Sequence, residues 1–408
     1  MPADSYILLL GCFDTKGEDF SFLRNCLIER GEKVMTVNTG VMETTVNFPI
    51  DISAEHVALQ AGYHLADVRT SGDRGGAVQI MSKGAAKVVA ALLETINIKA
   101  AVGMGGGGGT YIALAAMQPI PFGIPKLCLS TAAAKDLSRQ VGSKDIVLMP
   151  SIVDVAGLNN ISRVLIRQAA AAVCAMAEVS HQKENNHKGT IAISMFGNTS
   201  ACVDQCSELL RKEGYEVLAF HANGLGGKTM ESLIRDRVFD ALLDVTTTEL
   251  ADELCGGICS AGPDRMNAAA EAGIPQVVVP GCLDMVNFAQ PDTVPSKYAK
   301  RELYSWSPDV TLLRTDEAEN KILGEQFAEK INRATAPVTV LIPLKGISQV
   351  DAAGGIFYRP ATDRVLFDTI KQHTKSSIPV VEVDVHINDI TFSHQLVDTL
   401  LQLMKKNT

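Results

Sequence analysis

Between Gly103 and Thr110 the chain reads Gly-Met-Gly-Gly-Gly-Gly-Gly-Thr, a run that lets backbone approach a ligand closely and leaves a row of N–H groups bare. After a strand and at the opening of a helix, such a run suits an anion. Glycines permit positive φ, the amides converge, and the helix dipole adds a favourable field. Phosphate is the expected guest, held by Gly103, Gly105, Gly106, Gly107, Gly108, Gly109 and Thr110. The run satisfies G-x-G-x-x-G, yet the next acidic residue is Asp136, too distant for the ribose contact of a dinucleotide site. No lysine precedes Thr110 as a P-loop requires, which argues against vigorous ATP hydrolysis.

Two more segments fall on the same rim of strand ends. In Gly11-Cys12-Phe13-Asp14-Thr15-Lys16, Asp14 or Thr15 either caps the next helix or touches the ligand, and Lys16 offers charge to a phosphate. Asn38, Thr39 and Gly40 follow a second strand, in place to meet a ribose or base, and Arg74 brings a guanidinium to another helix start. A second set lies in the later half. His221-Ala222-Asn223-Gly224-Leu225-Gly226-Gly227-Lys228-Thr229 misses the P-loop pattern through Ala222. Gly224, Gly226, Gly227 and Asp264 are expected to hold a substrate, with His221 as acid or base, Glu231 or Glu249 as its carboxylate partner and Lys345 as a phosphate contact. Cys202 and Cys206, like Cys255 and Cys259, stand four apart and read as helix packing. Asp384 and His386, on one side of an expected strand, lack a third ligand, and no metal site is expected.

These residues need elements to position them. Short apolar runs alternate with amphipathic stretches throughout, the pattern of a parallel sheet covered by helices, so the fold class is α/β. Strands are predicted at Tyr6–Leu10, Lys33–Asn38, Ala100–Met104, Lys126–Leu129 and Ile146–Met149, with helices at Glu18–Arg30, Gly75–Ile96, from near Thr110, and Asn159–Val179. Ten polar or small residues, 180–189, then break the pattern. They divide an N-terminal domain, 1–180, which carries the glycine run, from a linker at 181–189 and a C-terminal domain, 190–408. The pattern restarts with strands at Thr190–Ser194, Glu216–Phe220, Ala241–Val245, Gln276–Val279, Val310–Arg314, Pro337–Ile342 and Val380–Val383. Both halves therefore read as doubly wound domains with mostly parallel sheets. Pro280–Pro308, with four prolines and little periodicity, reads as a functional loop or one packed across a partner.

Composition bounds the function. The 408 residues carry 37 Lys and Arg against 46 Asp and Glu, a net charge of −9 that repels a phosphate backbone. With only 5% aromatic residues, stacking platforms for single strands are scarce too, so nucleic acid is not an expected partner. No apolar run reaches the roughly 18 residues that span a bilayer, and the N-terminus lacks signal-peptide features, so the expected location is the cytoplasm. The nine cysteines read as reduced thiols.

Eight segments, taken together and in order, carry a resemblance: Asp14–Lys16, Gly72–Gly75, Gly103–Thr110, Lys144–Asp154, His221–Glu231, Leu243–Glu249, Leu283–Phe288 and Leu344–Ser348. Over nearly its whole length the chain resembles the largely uncharacterised family that includes the nucleotide-binding inhibitory domain of the tomato mosaic virus resistance protein. The resemblance implies two Rossmann-like domains, a homodimer, and ATP bound to the N-terminal domain. It also hints at small-molecule metabolism, since similar domains occur in bacteria and fungi alone or beside a TIM-barrel partner. The glycine run is unbroken here where the family commonly has a serine. The combined expectation is an ATP-binding protein, a nucleotide-dependent enzyme acting on an unidentified small molecule in a cleft between the domains, with magnesium left open. The alternatives are a regulatory or scaffolding dimer without turnover and an isomerase or hydrolase of a phosphorylated or sugar-like metabolite.

Overall fold

A computed structural model describes residues 4–179 and 186–406. The chain divides into two compact units, residues 1–183 and 184–408. Of the expected linker, residues 181–185 lie outside the described residues, and 186–189 lead into the first strand of the second unit.

The first unit runs β1 (Ser5–Gly11), α1 (Gly17–Ile28), β2 (Val34–Asn38), α2 (Ala54–Gln60), α3 (Leu65–Thr70), α4 (Arg74–Thr95), β3 (Asn97–Gly105), α5 (Gly107–Met117), β4 (Lys126–Ser130), α6 (Ser138–Val141), β5 (Ile146–Pro150) and α7 (Asn160–Glu178). The five strands form one parallel sheet in the order β2-β1-β3-β4-β5. Continuous apolar runs such as Ile7–Leu10 are what a strand covered on both faces requires. Ile7 and Leu9 pack with Phe20, Leu23 and Leu27 of α1 and with Ile166, Ala169 and Val173 of α7. Leu8 and Leu10 face the other way, onto Val57 of α2, Met81 and Ala85 of α4 and Ala113 of α5. The unit is thus doubly wound. α4 is long and apolar enough, by length and composition, to cross a membrane, a feature the residue runs did not suggest. Its apolarity has a local cause, because Met81, Ala85, Val88 and Val89 are buried in this core.

The second unit runs β6 (Thr190–Met195), α8 (Ser200–Lys212), β7 (Glu216–His221), α9 (Leu225–Arg235), β8 (Ala241–Thr246), α10 (Glu249–Cys255), α11 (Ala268–Ala272), β9 (Gln276–Gly281), β10 (Met285–Phe288), β11 (Leu303–Ser307), β12 (Val310–Arg314), α12 (Glu317–Ile331), β13 (Val338–Pro343), α13 (Pro360–His373), β14 (Val380–Val383) and α14 (Ile390–Lys406). Six strands form a parallel sheet in the order β14-β13-β9-β8-β6-β7, with α8 and α14 on one face and α9, α11, α12 and α13 on the other. Both units are Rossmann-like α/β domains.

Three readings change. Val310–Arg314 is a strand, but in a separate three-stranded antiparallel sheet, β10-β12-β11, and not in the large one. The stretch Pro280–Pro308 supplies two strands of that small sheet, so its aperiodicity reflects four-residue and five-residue strands broken by 3-10 turns. α10 ends at Cys255 with Gly256 left-handed at φ +79°, which puts Cys259 beyond the helix and separates that cysteine pair.

Candidate functional site

In the first unit β1 and β3 are neighbours, yet the helices that follow them cover opposite faces of the sheet. Their leading loops therefore part and leave a crevice beyond the carboxyl ends of the strands, the place where open α/β sheets bind ligands. A cavity of about 830 Å³ occupies it. Its wall takes in Asp14, Thr15 and Lys16 after β1, Thr39 and Gly40 after β2, Arg74 at the start of α4, and Gly105–Gly109 at the start of α5.

The glycine run works differently from the reading of its sequence. None of Gly103–Gly109 has positive φ; Gly106 is an extended N-cap and α5 begins at Gly107, earlier than expected. What the run supplies is bare helix N-terminus. Thr110 N–H makes the first intrahelical bond, 2.8 Å to Gly106 O, so the N–H groups of Gly107, Gly108 and Gly109 have no acceptor within the helix, and no side chain caps them. A Cβ on Gly107 would meet nothing within 4 Å, because that position opens into the cavity.

Other predicted site residues stand behind this wall and do not line the cavity. Gly103 allows α5 to lie on β3, where a Cβ would come 2.7 Å from that of Ala113, and Gly11 makes room for the Phe20 ring. Asn38 Oδ1 accepts from Phe13 N–H at 3.2 Å and Gly40 N–H at 3.0 Å, tying two rim loops together. The Thr110 hydroxyl bonds to Ser130 Oγ at 2.6 Å and to Gly105 O at 3.2 Å, fixing the helix start to the sheet.

Asp14 is not a helix cap. Its carboxylate accepts from Thr15 N–H at 2.7 Å and from Val41 and Met42 N–H at 2.9 Å each, folding the loop after β2 toward the loop after β1. Gly40 permits this, since a Cβ there would lie 2.5 Å from Asp14 Cγ. Asp73 caps α4 through Gly76 N–H at 3.0 Å. Both acids are thus engaged by backbone, whereas Lys16, Arg69 and Arg74 have no carboxylate partner among the described residues. Arg69 is a wall residue that sequence reading missed, because α3 has only six residues and no legible period. Val41 O accepts its Nε–H at 2.7 Å. Ile152, Val153 and Asp154 after β5 line the cavity too and were also missed, although their segment carried part of the family resemblance. There Val153 N–H closes a tight turn on Ser151 O at 2.6 Å, and Ile152, exposed at the lip, takes φ +62°, a costly conformation for a β-branched residue. Cys12 also lines the cavity, and burial pushes its thiol up from its usual range.

The second unit does not assemble the expected catalytic set. Glu231 and Glu249 are buried on the guanidinium of Arg265, not beside His221. Arg265 Nε–H donates to Glu249 at 2.6 Å, and its Nη groups donate to Asp244 at 2.7 Å and to Glu231 at 3.2 Å. Burial raises the Glu231 carboxyl despite this partner. Glu249 also accepts from Gly224 N–H at 2.8 Å and Gly227 N–H at 3.2 Å, so the amides expected to greet a substrate anion already hold a carboxylate of the chain. Gly226 packs against the His221 backbone. The His221 ring is exposed and lies 5.2 Å from that of Phe196. Asp264 is at the surface, and Lys345 pairs with Asp384 at 3.1 Å. His386 Nε2 sits 2.9 Å from Ser348 O, and among the described residues no three metal-ligating side chains converge. The switch point of this sheet, between β6 and β8, is filled: Asn198, Thr199 and Thr246–Glu249 are buried, and Asn198 Nδ2–H reaches Met285 Sδ on β10. Cys282, Met285, Leu312 and Phe357 form an apolar plug there with Phe196 and Tyr304.

Residues 5–182 match the N-terminal domain, and residues 188–404 the C-terminal domain, of the uncharacterised protein family UPF0261. A UPF0261 protein of Clostridium tetani is 41% identical over 401 residues, covering 98% of this chain and 99% of that protein. One from Rhizobium meliloti is 39% identical, covering 96% and 97%. The ToMV resistance protein Tm-1(GCR237) of Solanum lycopersicum is 35% identical over 98% of this chain, which spans only 56% of the tomato protein.

Proposed function

The chain belongs to the UPF0261 family, and we propose that its N-terminal unit is a nucleotide site that binds ATP through its phosphates. One observation carries the reading. The three acceptor-free amides of α5 and three unpaired cations, Lys16, Arg69 and Arg74, face one 830 Å³ cavity at the switch point of the sheet. Helix N-terminus and guanidinium are both phosphate binders, and together they offset the charge of a polyphosphate in a chain that is acidic overall. The family resemblance supplies ATP as the nucleotide. A cytoplasmic homodimer, with magnesium as the accompanying cation, completes the proposal.

A nucleotide-dependent enzyme of small-molecule metabolism needs an acid or base, and the buried pairing of Glu231 and Glu249 with Arg265 takes two candidates out of use. That pairing favours a second reading, in which the nucleotide sets conformation without being consumed.

Calorimetric titration with ATP, with and without magnesium, tests both. Wild-type protein is expected to bind, Lys16→Ala to bind about tenfold more weakly, and Gly107→Val to lose binding, since its side chain enters the space left by the glycine. No heat at millimolar ATP would overturn the nucleotide reading and move the search to phosphorylated metabolites.

A further inference from the structure

Arg69 forms part of two cavities. On one side lies the cavity beyond the strand ends, and on the other a shallower groove of about 560 Å³ along α2 and α3. The groove is lined by Glu55, His56, Leu59, Tyr63 and His64 as well as Arg69. The inner faces of the two short helices already serve the core through Val57, Ala58, Leu65 and Val68. Leu59 and Tyr63 are left outside, 57% and 49% exposed. Apolar side chains held in a concavity beside a few convergent polar groups are the usual composition of a small-ligand site.

The groove holds one acid, Glu55, one cation, Arg69, and two imidazoles that can donate hydrogen bonds. Arg69 has no carboxylate partner among the described residues and so is free to take one from a ligand. Its guanidinium is positioned by the same loop that shapes the larger cavity: Asp14 accepts from Val41 N–H, and Val41 O accepts from Arg69 Nε–H. With Nε so occupied, the Nη edges remain for ligands on either side.

We propose that this groove is a second-ligand subsite that takes a small organic carboxylate with an apolar body. The carboxylate meets Arg69 and the imidazoles of His56 and His64, and the body lies on Leu59 and Tyr63. A carboxylate is preferred over inorganic phosphate because only an organic acid uses the apolar wall. The placement rests on the nucleotide reading, which puts phosphates on the far side of Arg69.

Phenylacetate is the probe, with inorganic phosphate as control, followed through the ring resonances of His56 and His64 in proton–carbon NMR spectra of the full chain. Those two signals, assigned with His56→Gln and His64→Gln, are expected to shift saturably with phenylacetate and at least tenfold more weakly with phosphate. Arg69→Gln and the surface variant Leu59→Ser are each expected to abolish the shift, and the two histidine variants to bind ATP as wild type does in calorimetry. ATP binding without a phenylacetate response overturns the subsite and leaves the nucleotide reading standing. A phenylacetate response without ATP binding overturns the nucleotide reading and with it the pairing of the two sites. Equal shifts from inorganic phosphate overturn the carboxylate assignment.

Discussion

Arg265 and Asp264 are neighbours in sequence with opposite fates. Asp264 looks outward, while Arg265 is 1% exposed and neutralises part of the charge of Asp244, Glu231 and Glu249. Replacing Arg265 with Met leaves three buried carboxylates without their cation, and breaking a buried pair in that way costs about 3–5 kcal/mol. Urea denaturation followed by the fluorescence of Trp306, the single tryptophan, reads this loss in the second unit. A change under about 1 kcal/mol would show that the carboxylates take up protons at little expense. Sequence reading gives the ligand role to Asp264 and passes over its neighbour Arg265, because strand-end position says which loop a residue is on and not which way its side chain turns. The same limit explains Asp14. Its type and place at the rim were legible, but two of its three backbone partners, Val41 and Met42, come from folding the loop after β2 across it, 27 and 28 residues away.

At the scale of elements, the strands of the large sheets were legible because each is a continuous apolar run bounded by glycine or polar residues. α2 and α3, seven and six residues long, are too short to show a period, and so Arg69 went unseen. The opening of α5 was legible as a glycine-rich strand-to-helix turn but was explained by the wrong property of glycine. Positive φ is not used there; lack of a side chain is. That distinction has opposite consequences for stability and for binding. Because Gly107 is already helical with open space around its missing Cβ, Gly107→Ala should stabilise the folded chain by about 0.5–1 kcal/mol, as alanine does in a helix. The same methyl stands in the cavity, so ATP affinity should fall at least tenfold. Thermal denaturation without ligand and calorimetry with ATP measure the two signs separately. A drop in both would mean that the glycine is needed by the fold and not by a ligand.

The whole molecule separates its chemistry between the two units. The first presents unpaired cations and bare amides to a cavity, while the second buries acids. In the second unit Asp284, Asp351 and Asp363 gather around Arg314, and burial raises all three carboxyls, with Asp351 raised further by the charges of Asp284 and Asp363. Asp252, fully buried, is pushed up to about 7, chiefly by burial and despite the amide of Asn287 at 2.8 Å. An acid that ionises less readily folded than unfolded favours the folded chain while both forms hold their protons. This advantage is lost as pH climbs from about 3.9, where the unfolded carboxyl ionises, through the folded value near 7. Stability of the second unit, read from Trp306 in urea, should therefore decline between pH 5 and pH 8, with Asp252 alone contributing on the order of 3 kcal/mol. Asp252→Asn should flatten much of that slope. Asparagine keeps an oxygen for the N–H groups of Cys259 and Asn287, and its amide can meet Asn287 Oδ1, which has no partner in the native pairing. An unchanged slope in that variant would move the titration to the Arg314 cluster, where the raised carboxyls of Asp284 and Asp351 give the same sign.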